Sequence, residues 1–332
     1  MSLGREHGIV NGFGWRPDVM PRLCVNALDA GIEVEYVRHL IRIRHLVPET
    51  PPLECEGWPW PLRIFTLGRF AIFKEDTPVQ FSGKVQRKPL ELLKAIISPG
   101  GKDVPEDRVT DLLWPDTEGD MAHQNFGTTL HRLRRLIGND AVIKLQGRQL
   151  TIDARYCWVD IWAFERIAKH IEGIFDGIRE EGKQKNWEIS HTPDVPLYPV
   201  VVPYSEIQRL IRKVLDIYKG VFLPADTSCL WTFSLRERLR NRFIRVILLL
   251  GSYLERVEQS RKVMELYESA IGIDDLAEEF YLHLMVCYQR FGQQTEAVKV
   301  YRRLQNVLSA TLGIEPSPST QAIFKKLFPN GR

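Results

Sequence analysis

The chain has 332 residues, of which 44% are hydrophobic and 26% charged, and a formal net charge of +3, which excludes a polycation or a disordered polyelectrolyte and leaves room for two or three globular domains. Five scattered cysteines form no CxxC pair and no Cys/His cluster, so we expect free thiols, no metal and no cofactor. The longest apolar runs, such as Val246 to Leu250, are too short to cross a bilayer and no signal peptide is visible, so we predict a cytoplasmic protein without a membrane segment.

Two short helices and a proline-rich linker are predicted at the start of the chain. Residues 15–46 have apolar side chains at helical spacing. Two helices of this size bury too little surface to fold alone, so residues 1–47 either dock on the next domain or are the tail of a helical domain upstream, and we favour the second interpretation. Residues 48–61 include the run Trp58-Pro59-Trp60-Pro61 and are predicted to be a linker, because repeated prolines are incompatible with a regular helix.

From residue 62 the apolar period changes to the alternation that is typical of strands. Short strands are predicted first, around Gly68 and after the turn that follows. Three helices are then predicted, followed by a β-hairpin with a glycine turn; the helices span residues 87–97, 105–113 and 120–137. For residues 62–153 this order predicts a winged helix-turn-helix domain, in which the third helix enters the major groove of DNA and the hairpin wing flanks it.

The third predicted helix, residues 120–137, has two chemically different faces. Its apolar residues recur at intervals of three and four and form one stripe for burial: Phe126, Leu130, Leu133 and Ile137. The opposite face carries donors and cations and no carboxylate: Gln124, Thr128, His131, Arg132 and Arg135. Residues 121–148 contain five Arg or Lys residues and one acid, so this segment alone has a larger charge excess than the whole chain. Such a surface suits phosphates and base edges.

These residue types allow roles on DNA to be predicted. We expect Gln124, Thr128, His131, Arg132 and Arg135 to read base edges, since Arg pairs with guanine and Gln with adenine. A second group is expected to hold phosphates or to contact DNA from the wing: Arg87, Lys88, Arg134, Lys144 and Arg148. One domain of this size buries little surface, so a homodimer on repeated half-sites is expected. The alternative is a solvated helix face in a protein-interaction scaffold whose winged helix no longer binds DNA.

The second half of the chain, residues 154–332, is predicted to be all-α. Residues 183–204 are polar and contain four prolines, which favours a loop. Four residues recur with matching types 34 positions later: Leu254, Val263, Tyr267 and Ala270, against Tyr288, Ala297, Tyr301 and Leu304. A period of 34 residues with small or aromatic side chains at these offsets indicates tetratricopeptide-like helix pairs. The predicted fold class is therefore an α+β winged helix-turn-helix domain followed by an all-α helical-repeat domain.

Several strings of residues carry a resemblance to known families. Residues 62–153 resemble the OmpR-type winged-helix DNA-binding domain, in the version found in antibiotic-regulatory-type transcriptional activators. The strings are Leu67-Gly68-Arg69-Phe70, Arg87-Lys88-Pro89-Leu90-Glu91-Leu92-Leu93, Leu112-Leu113-Trp114-Pro115-Asp116 and Leu130-His131-Arg132-Leu133-Arg134-Arg135-Leu136. The second half resembles the tetratricopeptide-like bacterial transcriptional activator domain. Its strings are Tyr218-Lys219-Gly220, Leu235-Arg236-Glu237-Arg238-Leu239-Arg240 and Leu312-Gly313-Ile314-Glu315-Pro316-Ser317-Pro318.

This resemblance implies a sequence-specific DNA-binding transcriptional regulator, an activator, that recruits RNA polymerase to double-stranded DNA. The helical half would then mediate self-association or couple a signal to the DNA-binding half. Recognition helices of the family usually carry Ala or another helix former near the position of Gly127. The glycine either costs about 1 kcal/mol of helix propensity or permits close packing of another helix. An enzyme is not expected, since GxxxxGK, HExxH, GxSxG and GxGxxG motifs are absent.

Overall fold

The computed structural model describes residues 2–8, 16, 19–48, 50–55, 57–81, 87–184, 202–227 and 229–328. The chain falls into two units. Unit 1 comprises Met1–Ala163 and Leu223–Leu235, and unit 2 comprises Phe164–Phe222 and Arg236–Arg332. In the described part of the chain, no helix is both long and apolar enough to span a bilayer.

Unit 1 combines helices with two small sheets. Its elements are α1 (Ser2–Glu6), α2 (Met20–Asp29), α3 (Val34–Ile43), β1 (Leu62–Phe65), β2 (Ala71–Lys74), β3 (Thr77–Pro78), α4 (Arg87–Ile97), β4 (Val104–Pro105), α5 (Glu106–Leu113), α6 (Gly119–Ile137), β5 (Ile143–Gln146), β6 (Gln149–Ile152) and β7 (Cys157–Val159). One sheet has the strand order β3-β2-β1-β7, and the other has the order β4-β6-β5. Helices α4, α5 and α6 and the β5–β6 wing confirm the predicted winged helix-turn-helix fold.

Helix α6 is held by the apolar stripe that its sequence predicts. Phe126, Leu130, Leu133 and Ile137 are at most 3% exposed, and the helix packs against α4 and α5. Burying each such side chain stabilises the fold by about 1.5–3 kcal/mol. The helix ends at Gly138, whose φ of 71° is left-handed and whose N–H bonds to the carbonyl of Arg134. The stripe and this C-cap fix both the rotation and the end of α6.

A buried carboxylate holds the turn after β1. Asp160, 1% exposed, accepts hydrogen bonds from the Thr66 amide (2.6 Å), the Thr66 hydroxyl (2.5 Å) and the Leu67 amide (2.7 Å). The Thr66 carbonyl in turn accepts from the Leu223 amide at 2.8 Å. Burial raises the pKa of Asp160 to about 6, and these hydrogen bonds oppose that shift. Residues far apart in the sequence therefore satisfy the backbone of one buried turn.

The first helices of the chain also belong to unit 1. Asp76, in the left-handed turn between β2 and β3, accepts from Arg42 at 2.7 Å and from Arg63 at 2.8 Å. Arg38 donates to the Gly57 carbonyl at 3.1 Å. Arg38 also lies 3.5 Å from Asp76, so two arginines of α3 and one of β1 surround this turn.

Unit 2 is built of helices. Its elements are α7 (Asp160–Gln184), α8 (Tyr204–Ile217), α9 (Phe233–Arg256), α10 (Ser260–Ile273), α11 (Glu278–Arg290), α12 (Gln294–Leu312) and α13 (Pro318–Leu327); α7 and α9 each begin within the residue ranges of unit 1. The 34-residue repeat lies on the pairs α9–α10 and α11–α12, and its members are buried except for half-buried Tyr288. The predicted helical-repeat fold is confirmed. The loop predicted at 183–204 lies almost entirely outside the described residues.

Residues of two strings that carry the family resemblance, 218–220 and 235–240, hold unit 2 together. The ring of Tyr218 stacks on Phe243, with centroids 4.2 Å apart, and lies 4.9 Å from Phe164. Arginines of α9 act as braces between helices: Arg240 pairs with Asp274 at 2.7 Å, and Arg242 pairs with Glu172 at 2.8 Å. These cations therefore stabilise the helical unit by internal pairing.

We expect Asp160→Asn to lower the free energy of unfolding by about 1–3 kcal/mol, because an amide places a donor where the buried Thr66 or Leu67 amide needs an acceptor. Denaturant titration followed by tryptophan fluorescence measures this loss. Thr66→Ser is the matched control: it keeps the hydroxyl donor and should cost less. Equal stability of wild type and Asp160→Asn at neutral pH would show that the carboxylate does not hold the turn.

Candidate nucleic-acid interface

The five predicted base-reading residues share one open face of α6. Gln124, Thr128, His131, Arg132 and Arg135 are all exposed. At helical spacing they lie within a sector of roughly 100° around the axis. Among the described residues, neither Arg132 nor Arg135 has a hydrogen bond or an ion pair. The structure thus brings together two free guanidinium groups, an amide, a hydroxyl and an imidazole on a convex helical surface.

The cations at the base of the wing are engaged within the chain. Arg134 donates from Nε and Nη2 to the carbonyl of Ile143, at 3.2 and 3.0 Å. Lys144 pairs with Asp153 at 2.8 Å. The bonds of Arg134 fix strand β5 against the C-terminal end of α6, and the pair of Lys144 joins β5 to the residue after β6, so the two cations position the wing. Their contact with DNA stays a prediction, and it requires that Arg134 and Lys144 leave the Ile143 carbonyl and the Asp153 carboxylate to bind DNA instead.

Arg148, at the turn of the wing, belongs to a network that the sequence analysis missed. Its Nη2 donates to Asp107 at 2.8 Å and lies 2.9 Å from Nε2 of His123. The Nδ1 atom of His123 lies 2.8 Å from a carboxylate oxygen of Glu106. Since the guanidinium can only donate and the ionised carboxylate only accept, this geometry fits a neutral imidazole that carries its hydrogen on Nδ1. Glu106 and Asp107, the two acids in the first turn of α5, could have indicated this network in the sequence, because their carboxylates can pair with cations from neighbouring elements.

Arg87 and Lys88 lie at the start of α4 with exposed side chains. Both pair with Glu91, at 2.9 and 3.0 Å, and Lys88 also donates to the carbonyl of Leu113 at 3.2 Å. Although burial acts in the opposite direction, the hydrogen bonds from Lys88 and Arg87 hold the pKa of Glu91 below its usual value. Surface pairs of this kind are weak and are readily exchanged for another anion.

The two predicted groups of site residues therefore differ in their surroundings. Within the described part of the chain, the two arginines of the α6 face are unpaired, whereas each of the five cations predicted for phosphates or the wing has an intramolecular partner. In the part of the chain that the structure describes, no group of His, Cys, Asp and Glu residues has the arrangement of a metal site.

Comparison with known proteins identifies a domain in the second half of the chain. Residues 204–328 match the family model of the bacterial transcriptional activator domain. The chain is 22% identical over 287 residues to regulatory protein AfsR of Streptomyces griseus, covering 85% of this chain and 26% of that protein. It therefore spans about a quarter of the length of this curated relative.

A solved structure has the same fold. The chain is similar to Mycobacterium tuberculosis EmbR, solved in complex with a low affinity phosphopeptide, with a TM-score of 0.53 and 18% identity over 82% of this chain and 66% of that one. These comparisons confirm the resemblance drawn from the sequence: the chain carries a bacterial transcriptional activator domain, is similar to a regulatory protein and shares the fold of EmbR.

Acidification should loosen the wing through Asp153. Against the effect of burial, Arg155 and then Lys144 hold the pKa of Asp153 well below its usual range. Because the folded-state pKa is the lower one, the stabilisation is complete above the unfolded-state pKa of about 4 and is lost as the pH falls below it. We expect the free energy of unfolding of the wild type to fall more steeply than that of Asp153→Asn between about pH 5 and pH 2.5. Parallel pH profiles would contradict this pairing.

Proposed function

We propose that the protein is a sequence-specific DNA-binding transcriptional regulator, an activator, that reads the major groove of double-stranded DNA with α6. The observation that carries this proposal is the exposed face of α6 formed by Gln124, Thr128, His131, Arg132 and Arg135, whose two arginines have no partner among the described residues. An α-helix fits the major groove, and donors on its outer face can reach base edges there. The matched activator domain and the regulatory relative support the same reading.

Each residue of the interface has a role in this proposal. Arg132 and Arg135 bond guanine, Gln124 bonds adenine, and Thr128 and His131 adapt to either. Arg87 and Lys88 hold phosphates at the N-terminus of α4, where the helix dipole favours an anion. The wing cations exchange their carboxylate or carbonyl partners for DNA; they are Arg134, Lys144 and Arg148.

The proposal extends to organisation and partners. The chain would consist of a helical segment (1–47), a linker (48–61), a DNA-binding domain (62–153) and a helical activator domain (154–332). Two copies of the chain would bind repeated half-sites as a homodimer, because one domain buries little DNA surface. The helical domain would mediate self-association or couple a signal, and the bound complex would recruit RNA polymerase.

A protein-interaction scaffold is the second candidate function, and one observation favours it. The five cations predicted for phosphates or the wing already have partners within the chain, as in a domain that is stable without DNA. The face of α6 distinguishes the two functions, because a scaffold has no need of unpaired arginines there.

We expect Arg135→Ala to weaken binding to a duplex selected from a random pool by about 1–3 kcal/mol, the value of one base-reading contact. Gel-shift titrations at several salt concentrations measure the affinity and its salt dependence. The matched control is Arg302→Ala, which removes an exposed arginine from α12 and should leave both unchanged. If the wild type shows no binding even at low salt, the scaffold function replaces this proposal.

The carboxylate of Asp107 should compete with DNA for Arg148. Because an exposed ion pair is worth only about 0.2–1 kcal/mol, Asp107→Asn should raise DNA affinity by up to about fivefold. The matched control is Asp111→Asn, which removes an equal charge from an exposed position on the same helix. Fluorescence anisotropy with labelled duplex compares the two variants. If both variants gained the same DNA affinity, the effect would come from the removal of a negative charge in general and not from the release of Arg148.

A further inference from the structure

Gly127 is a glycine for which the protein itself provides no structural reason. It lies in the interior of α6 and is exposed. Its φ is not among the positive values in the described chain, so no left-handed conformation requires a glycine. A Cβ atom added at this position would meet nothing within 4 Å. One explanation of Gly127 from the sequence was the close packing of another helix, but within the described residues no helix packs against this position.

The position of Gly127 is what distinguishes it from other open glycines. Gly173 in α7 is also exposed and has no neighbour within 4 Å of an added Cβ, so open space alone has no functional meaning. By contrast, Gly251 in α9 has a packing reason, because an added Cβ would meet the hydroxyl of Tyr267. Gly127 lies three residues after Gln124 and four before His131, at spacings that place all three on neighbouring positions of the α6 face.

The other side of Gly127 is bounded by the wing network. His123 is four residues earlier on α6, and it lies 2.9 Å from Arg148 of the wing. The missing side chain therefore leaves a shallow notch between the reading face and the wing. Because the neighbouring outward positions of α6 carry side chains, the helix backbone can approach DNA most closely at this notch.

We propose that Gly127 is the point of closest approach between α6 and DNA, where the C5-methyl group of a thymine lies against the helix backbone. The inference rests on the proposed function. The thymine methyl projects into the major groove, and the neighbouring Gln124 has the groups that recognise adenine, so an A·T pair fits this part of the face. A side chain at position 127 would occupy the space of the methyl group. Gly127 is thus a specificity-determining residue that acts by its lack of a side chain.

The test is Gly127→Ala, for which stability and DNA affinity should change in opposite directions. In the free protein the unfolding midpoint should rise, because alanine is the better helix former and meets no neighbour. Affinity for the duplex that the wild type selects from a random pool should fall by about tenfold, the size of one lost base contact. Replacing thymine by uracil in that duplex removes the methyl group. The uracil duplex should reduce the penalty of the alanine variant to less than about threefold.

The matched control is Gly173→Ala, which should raise stability and leave DNA affinity unchanged. Affinity of Gly127→Ala equal to that of the wild type would overturn the inference, as would a lower unfolding midpoint of this variant. An undiminished penalty on the uracil duplex would overturn the contact with a thymine methyl. Failure of the proposed function is a different result, namely a wild type that selects no duplex at all.

Discussion

The burial of one apolar stripe determines what α6 presents to its surroundings. Phe126, Leu130, Leu133 and Ile137 are fixed against α4 and α5, and a helix has only one rotation that buries all four. The same rotation turns Gln124, Thr128, His131, Arg132 and Arg135 outward. The chemistry of the exposed face is therefore a consequence of core packing.

Local patterns in the sequence predicted the elements of unit 1 well and its long-range contacts poorly. Apolar periodicity located α4, α5, α6 and the wing, because each depends on residues within about four positions. Strands β4 and β7 were not predicted: β4 is two residues long and β7 three, too short for alternation to appear. The bonds of Asp160 to Thr66 join residues 94 positions apart, and no local pattern contains that information. The face of α6 was predictable because it lies on a single helix.

The number of cations in a sequence is a poor guide to the number available for binding. Arg134 and Arg135 are adjacent on α6, yet the first bonds the carbonyl of Ile143 and the second has no partner in the described chain. The arginines of α9 are likewise internal braces, as the pair of Arg240 with Asp274 illustrates. Charge counts could not separate these cases, since the distinction depends on which carbonyl or carboxylate the fold brings near. Only exposure and pairing together select a binding surface.

The contacts of unit 1 also determine how the winged helix can be separated from the rest of the chain. A fragment that ended at residue 153 would lack Asp160 and Leu223, which satisfy the buried backbone of Thr66 and Leu67. It would also lack Asp226, which pairs with Lys94 at 2.7 Å although Lys94 is largely buried. Buried amides and a buried ammonium group without partners cost several kcal/mol together, a large part of the stability of a small domain. The winged helix therefore depends physically on residues that follow it, and two of them, Leu223 and Asp226, come about seventy positions later, in the region that matches the activator domain.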